Sequence, residues 1–187
     1  MKLFRLVFVV GAVITLHSCN KPQEAEFDRG AMLTNMANSV IEPGINTLKT
    51  DLDNLHTYAQ QFATTPDLGN LAFVKDRFVT AYKSFQRIKM FDIGPFMDYN
   101  VKSAMNTYPT DTVKIESNID AGTYNLGTIE NIAAIGFPAL DYLLYNGTEN
   151  EILSNFTTAP DAADRMNYLI AITTKLKDEF ELVQSGW

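Results

Sequence analysis

Cysteine and histidine are scarce in this chain of 187 residues, which has one cysteine and two histidines. Because a lone cysteine has no partner within the chain, an internal disulfide is excluded. One histidine, His17, lies at the end of an N-terminal apolar segment, and the other, His56, stands alone between Leu55 and Thr57. Zinc sites commonly combine several histidine or cysteine ligands, so a histidine-rich metal centre cannot be assembled from these residues.

The signatures of common enzyme classes are missing as well. The sequence contains no H-E-x-x-H zinc motif, no G-x-S-x-G nucleophile elbow, no Walker A loop and no dinucleotide fingerprint. Basic residues are in the minority, with 15 Lys and Arg against 22 Asp and Glu. Since nucleic-acid binding relies on Lys and Arg that neutralise phosphates, this charge balance argues against a nucleic-acid partner.

The N-terminal segment predicts export from the cytoplasm. Lys2 and Arg5 give it a positive start, and an apolar run follows from residue 6 to residue 14. A transmembrane helix needs about 20 apolar residues, so the run is short for a membrane span. A positive start and a short apolar core are typical of a secretory signal peptide, with an uncleaved signal anchor as the alternative.

Cys19 follows Leu-His-Ser at the end of the apolar run, a pattern that resembles the lipobox of bacterial lipoproteins. The resemblance implies cleavage after Ser18 and a diacylglyceryl thioether on Cys19. We therefore expect a signal peptide at residues 1–18 and a lipidated tether at residues 19–27. Asn20 replaces the aspartate linked to inner-membrane retention, so the expected location is the outer membrane, facing the periplasm or the cell surface. An ordinary signal peptide with an unmodified cysteine is the alternative.

Apolar residues recur every three to four positions in three long segments, which predicts helices. The first runs from about Asp28 to Ala63 with a kink or break at Pro43-Gly44, the second from Pro66 to about Lys89, and the last from Asp161 to Val183. We find no sustained alternation typical of strands, so the predicted fold class is all-α, an antiparallel helical bundle. The positions predicted to point inward are Ile41, Ile45, Leu48, Leu52, Leu55, Ala59, Phe62, Leu71, Val74, Phe78, Ala81, Phe85, Ile88, Met166, Leu169, Ile170, Thr173, Leu176, Phe180 and Val183.

A long irregular insert separates the second and last of these helices. Periodicity weakens from residue 90 to residue 126, and connections of this length in compact domains are often functional. We expect short helical turns within it, for example at residues 111–119, and another at residues 128–134. Pro138 can then stand in the first turn of a helix that ends at Tyr145, before Asn-Gly.

Carboxylates are the remaining candidates for a cation site, because hard cations accept oxygen ligands. No calcium-loop pattern links them, and the alternative is that each is a helix cap or a solvated charge. The candidates near the insert are Asp92, Asp98, Asp111, Glu116, Asp120, Glu130 and Asp141.

Three blocks of the sequence resemble the imelysin-like family in order and spacing. They are residues 81–96, with a helix followed by an aromatic-Gly-Pro turn, residues 108–119, which begin Tyr-Pro-Thr-Asp, and residues 135–145. The resemblance implies a fold of two helical bundles, of which this chain would supply the first and the start of the second. It also implies one imelysin-like domain at residues 28–187, truncated at its C-terminus, and a link with iron supply.

The family's third block is often written G-x-H-x-x-E, and its His and Glu are proposed metal or catalytic residues. Gly136 is kept here, but Pro138 stands where the His would be and Asp141 where the Glu would be. Proline has no ligand atom, whereas a zinc hydrolase needs about three protein ligands, so no zinc site is evident. The alternative for this turn is purely structural, a close backbone approach at Gly136 followed by a helix start.

The expected function is therefore that of a non-enzymatic, lipid-anchored envelope protein linked to iron or metal uptake. Its membrane contact would be the lipid, and its cargo a metal, an iron compound or another small molecule. Asp141, Asp111 and Tyr142 are the residues expected to line the binding cleft. A metallopeptidase of the imelysin type is the alternative, and a surface protein that binds a protein or glycan is a third possibility.

Replacing Cys19 with serine removes the sulfur to which the lipid would attach. We expect wild-type protein to sediment with membranes and Cys19→Ser to move to the soluble fraction, because two or more acyl chains anchor a protein stably. Immunoblotting of the separated fractions measures this difference. A serine variant that stays in the membrane pellet would contradict the predicted anchor.

Overall fold

The chain divides into two units, residues 1–36 and residues 37–187. The computed structural model describes residues 27–187, so the expected signal peptide, Cys19 and the tether up to residue 26 lie outside the described range. In the first unit, helix α1 (Arg29–Met36) begins after Asp28, whose carboxylate accepts a hydrogen bond of 2.9 Å from the backbone N–H of Ala31. Among residues 27–187, none of the helices has the length and apolar character needed to cross a bilayer.

Helices make up the regular structure of the second unit, which confirms the all-α prediction for the described residues. In chain order they are a π-helical turn (Ala37–Ile41), α2 (Glu42–Thr64), α3 (Leu68–Ile88), α4 (Pro95–Asp98), α5 (Val101–Asn106), α6 (Thr112–Ala121), a 3-10 helix (Ile129–Ala134), α7 (Gly136–Tyr145), α8 (Glu149–Thr157) and α9 (Ala162–Gly186).

The helix starts follow from local residue chemistry. Helix α2 begins at Glu42, directly before Pro43, because a proline lacks the N–H that the first turn leaves unpaired. The π-helical turn runs into α2 with no residue between them, so at the predicted kink or break the chain changes its helix type just before Pro43. Helix α3 begins two residues after the predicted start at Pro66, and its cap is Asp67, whose carboxylate accepts the backbone N–H of Asn70 at 2.7 Å. A carboxylate at this position also interacts favourably with the positive end of the helix dipole.

Helices α2, α3 and α9 form an antiparallel bundle. Near the start of α2, Asn46 accepts a hydrogen bond of 2.8 Å from Gln184, which lies near the end of α9. Further along α2, Nδ1 of His56 lies 3.1 Å from the hydroxyl oxygen of Thr173 on α9. On the other side, Asp51 of α2 accepts the hydroxyl of Ser84 near the end of α3. Among residues 37–187 the buried apolar side chains of these long helices belong to one core cluster.

The periodicity predicted the core of these helices correctly. Met166 and Ile170 are half-buried, while the other predicted inward positions on the long helices are buried. The insert contains the short helices α4, α5 and α6, and the expected turn at residues 111–119 corresponds to α6. Helix α7 begins at Gly136, so Pro138 lies in its first turn as predicted.

Gly136 fixes where α7 crosses α5. Its φ is +78°, and a Cβ added there would lie 2.5 Å from the backbone oxygen of Met105 and 2.9 Å from that of Ala104. Left-handed backbone disfavours residues with a Cβ, and the two carbonyl oxygens leave no room for one. The start of α7 therefore rests directly on the backbone of α5.

Gly136→Ala should destabilise the fold by roughly 2–5 kcal/mol, from left-handed strain together with overpacking against the α5 backbone. Urea denaturation of the full-length chain, followed by circular dichroism, measures the loss. Gly127→Ala is the matched control, because the atom of the described residues nearest to an added Cβ at that position is the side-chain oxygen of Asn125, at 3.2 Å. Equal stability of the two variants would contradict the proposed role of Gly136.

Candidate functional site: an aromatic cleft

A cleft of about 520 Å³ opens between α3, α7 and the segment that follows α5. We call it the aromatic cleft, because six of its eleven lining residues carry aromatic rings. Asp141 is the one charged residue in the lining. The lining residues are Phe78, Tyr82, Asn106, Tyr108, Thr110, Phe137, Pro138, Asp141, Tyr142, Tyr145 and Asn146.

The rings from α3 and α7 pack against one another. Phe137 is buried, and its ring centroid lies 5.1 Å from that of Tyr82 and 6.1 Å from that of Phe78. Phe78 also contacts Tyr145 at a centroid distance of 5.6 Å. Aromatic pairs at these distances and tilted angles are mutually stabilising, so the inner wall of the cleft is held in place by its own packing. Tyr108 stands apart from this cluster, with 85% of its surface exposed.

Two of the cleft tyrosines direct their hydroxyls to protein acceptors. The hydroxyl of Tyr142 donates to Oε1 of Glu116 at 2.8 Å, and that of Tyr145 donates to the backbone oxygen of Lys75 at 3.3 Å. Burial raises the pKa of both phenols, and the nearby carboxylates of Glu116 and Asp141, respectively, raise the pKa further. Both hydroxyls therefore stay protonated at neutral pH, and these residues supply rings to the cleft wall.

An ion-pair network supports Tyr142 from behind. Arg165 of α9 binds Glu116 of α6 with two nitrogens, at 3.0 and 2.6 Å, and Asp161 at 2.8 Å. The hydrogen bonds from Arg165 are the main reason that the pKa of Glu116 lies below its ordinary value. A two-point arginine–carboxylate contact fixes geometry as well as charge, so the network ties α6, α7 and α9 together at Tyr142.

A buried amide network holds the chain just before α7. Asn118 donates to the side-chain oxygen of Asn131 at 2.7 Å and to the hydroxyl of Tyr168 at 3.1 Å. That hydroxyl donates in turn to the backbone oxygen of Ala134 at 2.8 Å, and burial raises the pKa of Tyr168 to about 12. Because buried polar groups are costly when unpaired, this network favours one position of the 3-10 helix that precedes Gly136.

Comparison with family models gives a match to a known family. The model Peptidase_M75, described as imelysin, matches residues 41–187, which is more than three quarters of the chain. The chain belongs to the imelysin family. Comparisons with curated proteins and with solved structures gave no match.

All three imelysin-like blocks contribute to the aromatic cleft. The first block supplies Tyr82, the second supplies Tyr108 and Thr110, and the third supplies Pro138 and Asp141 among others. Sequence reasoning missed most of the aromatic lining, although these residues lie in or near the blocks. Conspicuous Tyr and Phe positions within the three blocks were the signal that could have identified them.

The structure brings only some of the predicted site residues to the cleft. Asp141 and Tyr142 line the cleft together with Pro138. Asp111 does not; its carboxylate accepts the backbone N–H of Lys114 at 2.9 Å and caps α6. Gly136 lies beneath the cleft wall as the contact with α5. This imelysin-family turn therefore combines cleft-lining side chains with a structural glycine.

The other candidate carboxylates lie elsewhere. Asp120 and Glu116 line a shallow depression on α6, and Asp92, Asp98 and Glu130 are exposed. Within the described part of the chain, no group of three or more His, Cys, Asp and Glu side chains is placed to hold a metal ion.

The residues at the family's motif positions do not fit a metal held by a His and Glu pair. Pro138 offers no donor atom at the His position, and Asp141 is the one carboxylate of the cleft lining. The hydroxyls of Tyr142 and Tyr145 are protonated, and each donates a hydrogen bond to an oxygen of the protein. The turn therefore does not supply the ligand pair that such a metal would need.

Glu116→Gln tests the network behind Tyr142. We expect the free energy of unfolding at neutral pH to fall by about 1–2 kcal/mol, because one charged partner of Arg165 is lost from a partly exposed site. Folding lowers the pKa of Glu116. The ionised carboxylate therefore stabilises the fold at pH values above its ordinary pKa, and this stabilisation is lost as pH falls through the lowered pKa of the folded state. Urea denaturation between about pH 7 and pH 3 should show the difference between wild type and variant shrinking toward acid.

Glu181→Gln is the matched control, because Glu181 is an exposed glutamate on α9. A stability difference for Glu116→Gln that does not change with pH, or that matches the control, would contradict the role of the charged pair.

Proposed function

We propose that this imelysin-family chain is a lipid-anchored binding protein of the bacterial cell envelope, which holds an organic ligand in the aromatic cleft and does not hydrolyse peptides. The anchor would be Cys19, on a tether at residues 19–27, and the location would be the outer membrane. The lipobox resemblance of the N-terminal segment supports the anchor.

The cleft is the observation that carries this proposal. Small-molecule sites are usually concave, roughly 300–1,000 Å³ in volume, and mostly apolar, with a few polar groups that fix orientation. The aromatic cleft has a volume of about 520 Å³, six aromatic residues, and the side chains of Asn106, Asn146 and Asp141 in its lining. This combination of rings, amides and one carboxylate suits recognition of a ring-bearing or chain-like organic molecule.

The iron link implied by the family resemblance takes a specific form in this chain. Since Pro138 replaces the imidazole and the neighbouring phenols are protonated, a bare ferric ion has few ligands here. Iron would instead reach the cleft within an organic compound, whose own oxygen atoms hold the metal. The same residues disfavour the metallopeptidase alternative, which needs an assembled zinc site.

Binding of a defined ferric chelate tests the proposal. We expect the full-length chain to bind ferrioxamine B, a ferric trihydroxamate with a free ammonium, and to retain its iron through gel filtration. Tyr108→Ala should weaken binding about fivefold, since one ring contact is worth roughly 1 kcal/mol. Tyr108 is 85% exposed, so the change should leave the fold intact. Tyr99→Ala is the matched control, because Tyr99 is 44% exposed and does not line the cleft.

Calorimetric titration measures the three affinities, and elemental analysis measures the retained iron. Three results would overturn the proposal. The first is no binding at all, and the second is binding that Tyr108→Ala and Tyr99→Ala weaken equally. The third is peptide cleavage by the purified chain that a chelator abolishes, which would favour the metallopeptidase instead.

A further inference from the structure

We propose that the ligand of the aromatic cleft is an organic cation, an alkylammonium or quaternary ammonium group seated among the tyrosine rings next to the carboxylate of Asp141. This inference rests on the proposed function, in which the cleft is a binding site, and adds the chemical class of its occupant.

The charges around the cleft favour a positive ligand. Asp141 is exposed, forms no salt bridge with a described residue, and is the one charged side chain in the lining. The network behind Tyr142 joins one arginine, Arg165, to two carboxylates, those of Glu116 and Asp161, and so has a net negative charge. Lysine and arginine are absent from the cleft lining. An anionic ligand would therefore meet repulsion without an opposing charge.

One cation beside the cleft is already neutralised. The ammonium of Lys75 lies 2.6 Å from the carboxylate of Glu149, so its charge is paired. Further out, Asp76 is paired with Arg77 at 3.0 Å. Unlike the carboxylates of Glu149 and Asp76, that of Asp141 forms no salt bridge with a described residue.

The rings are suited to a cation as well. The face of a tyrosine ring attracts an ammonium group within about 6 Å of its centroid. Tyr142 and Tyr145 direct their hydroxyls to Glu116 and to the Lys75 backbone, and both residues line the cleft. The ring of Tyr145 also contacts Phe78 and the ammonium of Lys75. Tyr82 and Tyr108 add rings on the α3 side and at the rim. Several rings and one carboxylate form the arrangement that recognises quaternary ammonium compounds.

The chain itself contains the same chemistry beside the cleft. The ammonium of Lys75 lies 4.7 Å from the centroid of the Tyr145 ring while it contacts Glu149. An ammonium placed between an aromatic ring and a carboxylate is thus already part of this region, with a tethered side chain as the cation. In the cleft, a free ligand would supply the ammonium, while Asp141 would supply the carboxylate and the tyrosines the rings.

Choline and 3,3-dimethylbutan-1-ol have nearly the same shape, but choline carries a positive charge and the alcohol is neutral. A comparison of their affinities therefore measures the effect of the charge. We expect the full-length chain to bind choline at least about tenfold more tightly than the alcohol, as measured by calorimetry or by NMR titration. Asp141→Asn, which keeps the shape of the side chain and removes its charge, should bring the choline affinity close to that of the alcohol. Asp120→Asn is the matched control, since Asp120 is exposed on α6 outside the cleft, and it should preserve the preference.

The outcomes distinguish this inference from the proposed function. Equal affinity for the two probes, no choline binding, or an unchanged preference in Asp141→Asn would each overturn the cationic ligand. If ferrioxamine B still binds in a Tyr108-dependent manner, the cleft remains a binding site and only the charge assignment fails. If Tyr108-dependent binding is also absent, both fail.

Discussion

The close contact between the start of α7 and the end of α5 is the constraint on which the rest of the site depends. Gly136 adopts a left-handed φ and places its Cα against the backbone oxygens of Met105 and Ala104. No other residue type combines that conformation with the absence of a Cβ. The contact sets the distance between the α7 side chains and the segment that follows α5, and that distance defines the aromatic cleft.

Two polar networks stabilise the region around the contact between Gly136 and the α5 backbone. The buried amides of Asn118 and Asn131, with Tyr168, position the 3-10 helix that leads into Gly136. The pair formed by Arg165 and Glu116 ties α9 to α6 and accepts the hydroxyl of Tyr142. The long helices thus supply stability through apolar burial, while the polar contacts decide how the short helices are arranged around the cleft.

The turn at Gly136 resembles the G-x-H-x-x-E pattern but departs from it at two positions. Gly136 matches the glycine of the pattern, and the helix crossing leaves no room for a Cβ there. Pro138 suits the first turn of α7, where a missing N–H costs little, but it removes the imidazole. The helices around this turn therefore pack without the His and Glu pair of the pattern. We interpret the turn as a wall of an organic-ligand site, in which Asp141 provides charge.

Sequence reasoning predicted the long helices and their buried faces because a period of three to four residues reports burial directly. It missed α8, although Thr148 and Glu151 form a capping box that the spacing already indicated. It placed Asp111 in the cleft, where helix capping explains the residue instead. The aromatic lining comes from segments far apart in the chain. The three blocks contain most of its rings, but a single sequence does not show that these rings meet in one cleft.

The most direct test of the central claim is an NMR titration of the full-length chain, with ring-labelled tyrosines, by choline. The chain has eight tyrosines. The account predicts chemical-shift changes concentrated on Tyr82, Tyr108, Tyr142 and Tyr145, which line the cleft. Tyr58, Tyr99, Tyr124 and Tyr168 should change little. Shifts spread evenly over all eight rings, or centred on the second group, would contradict binding in the aromatic cleft.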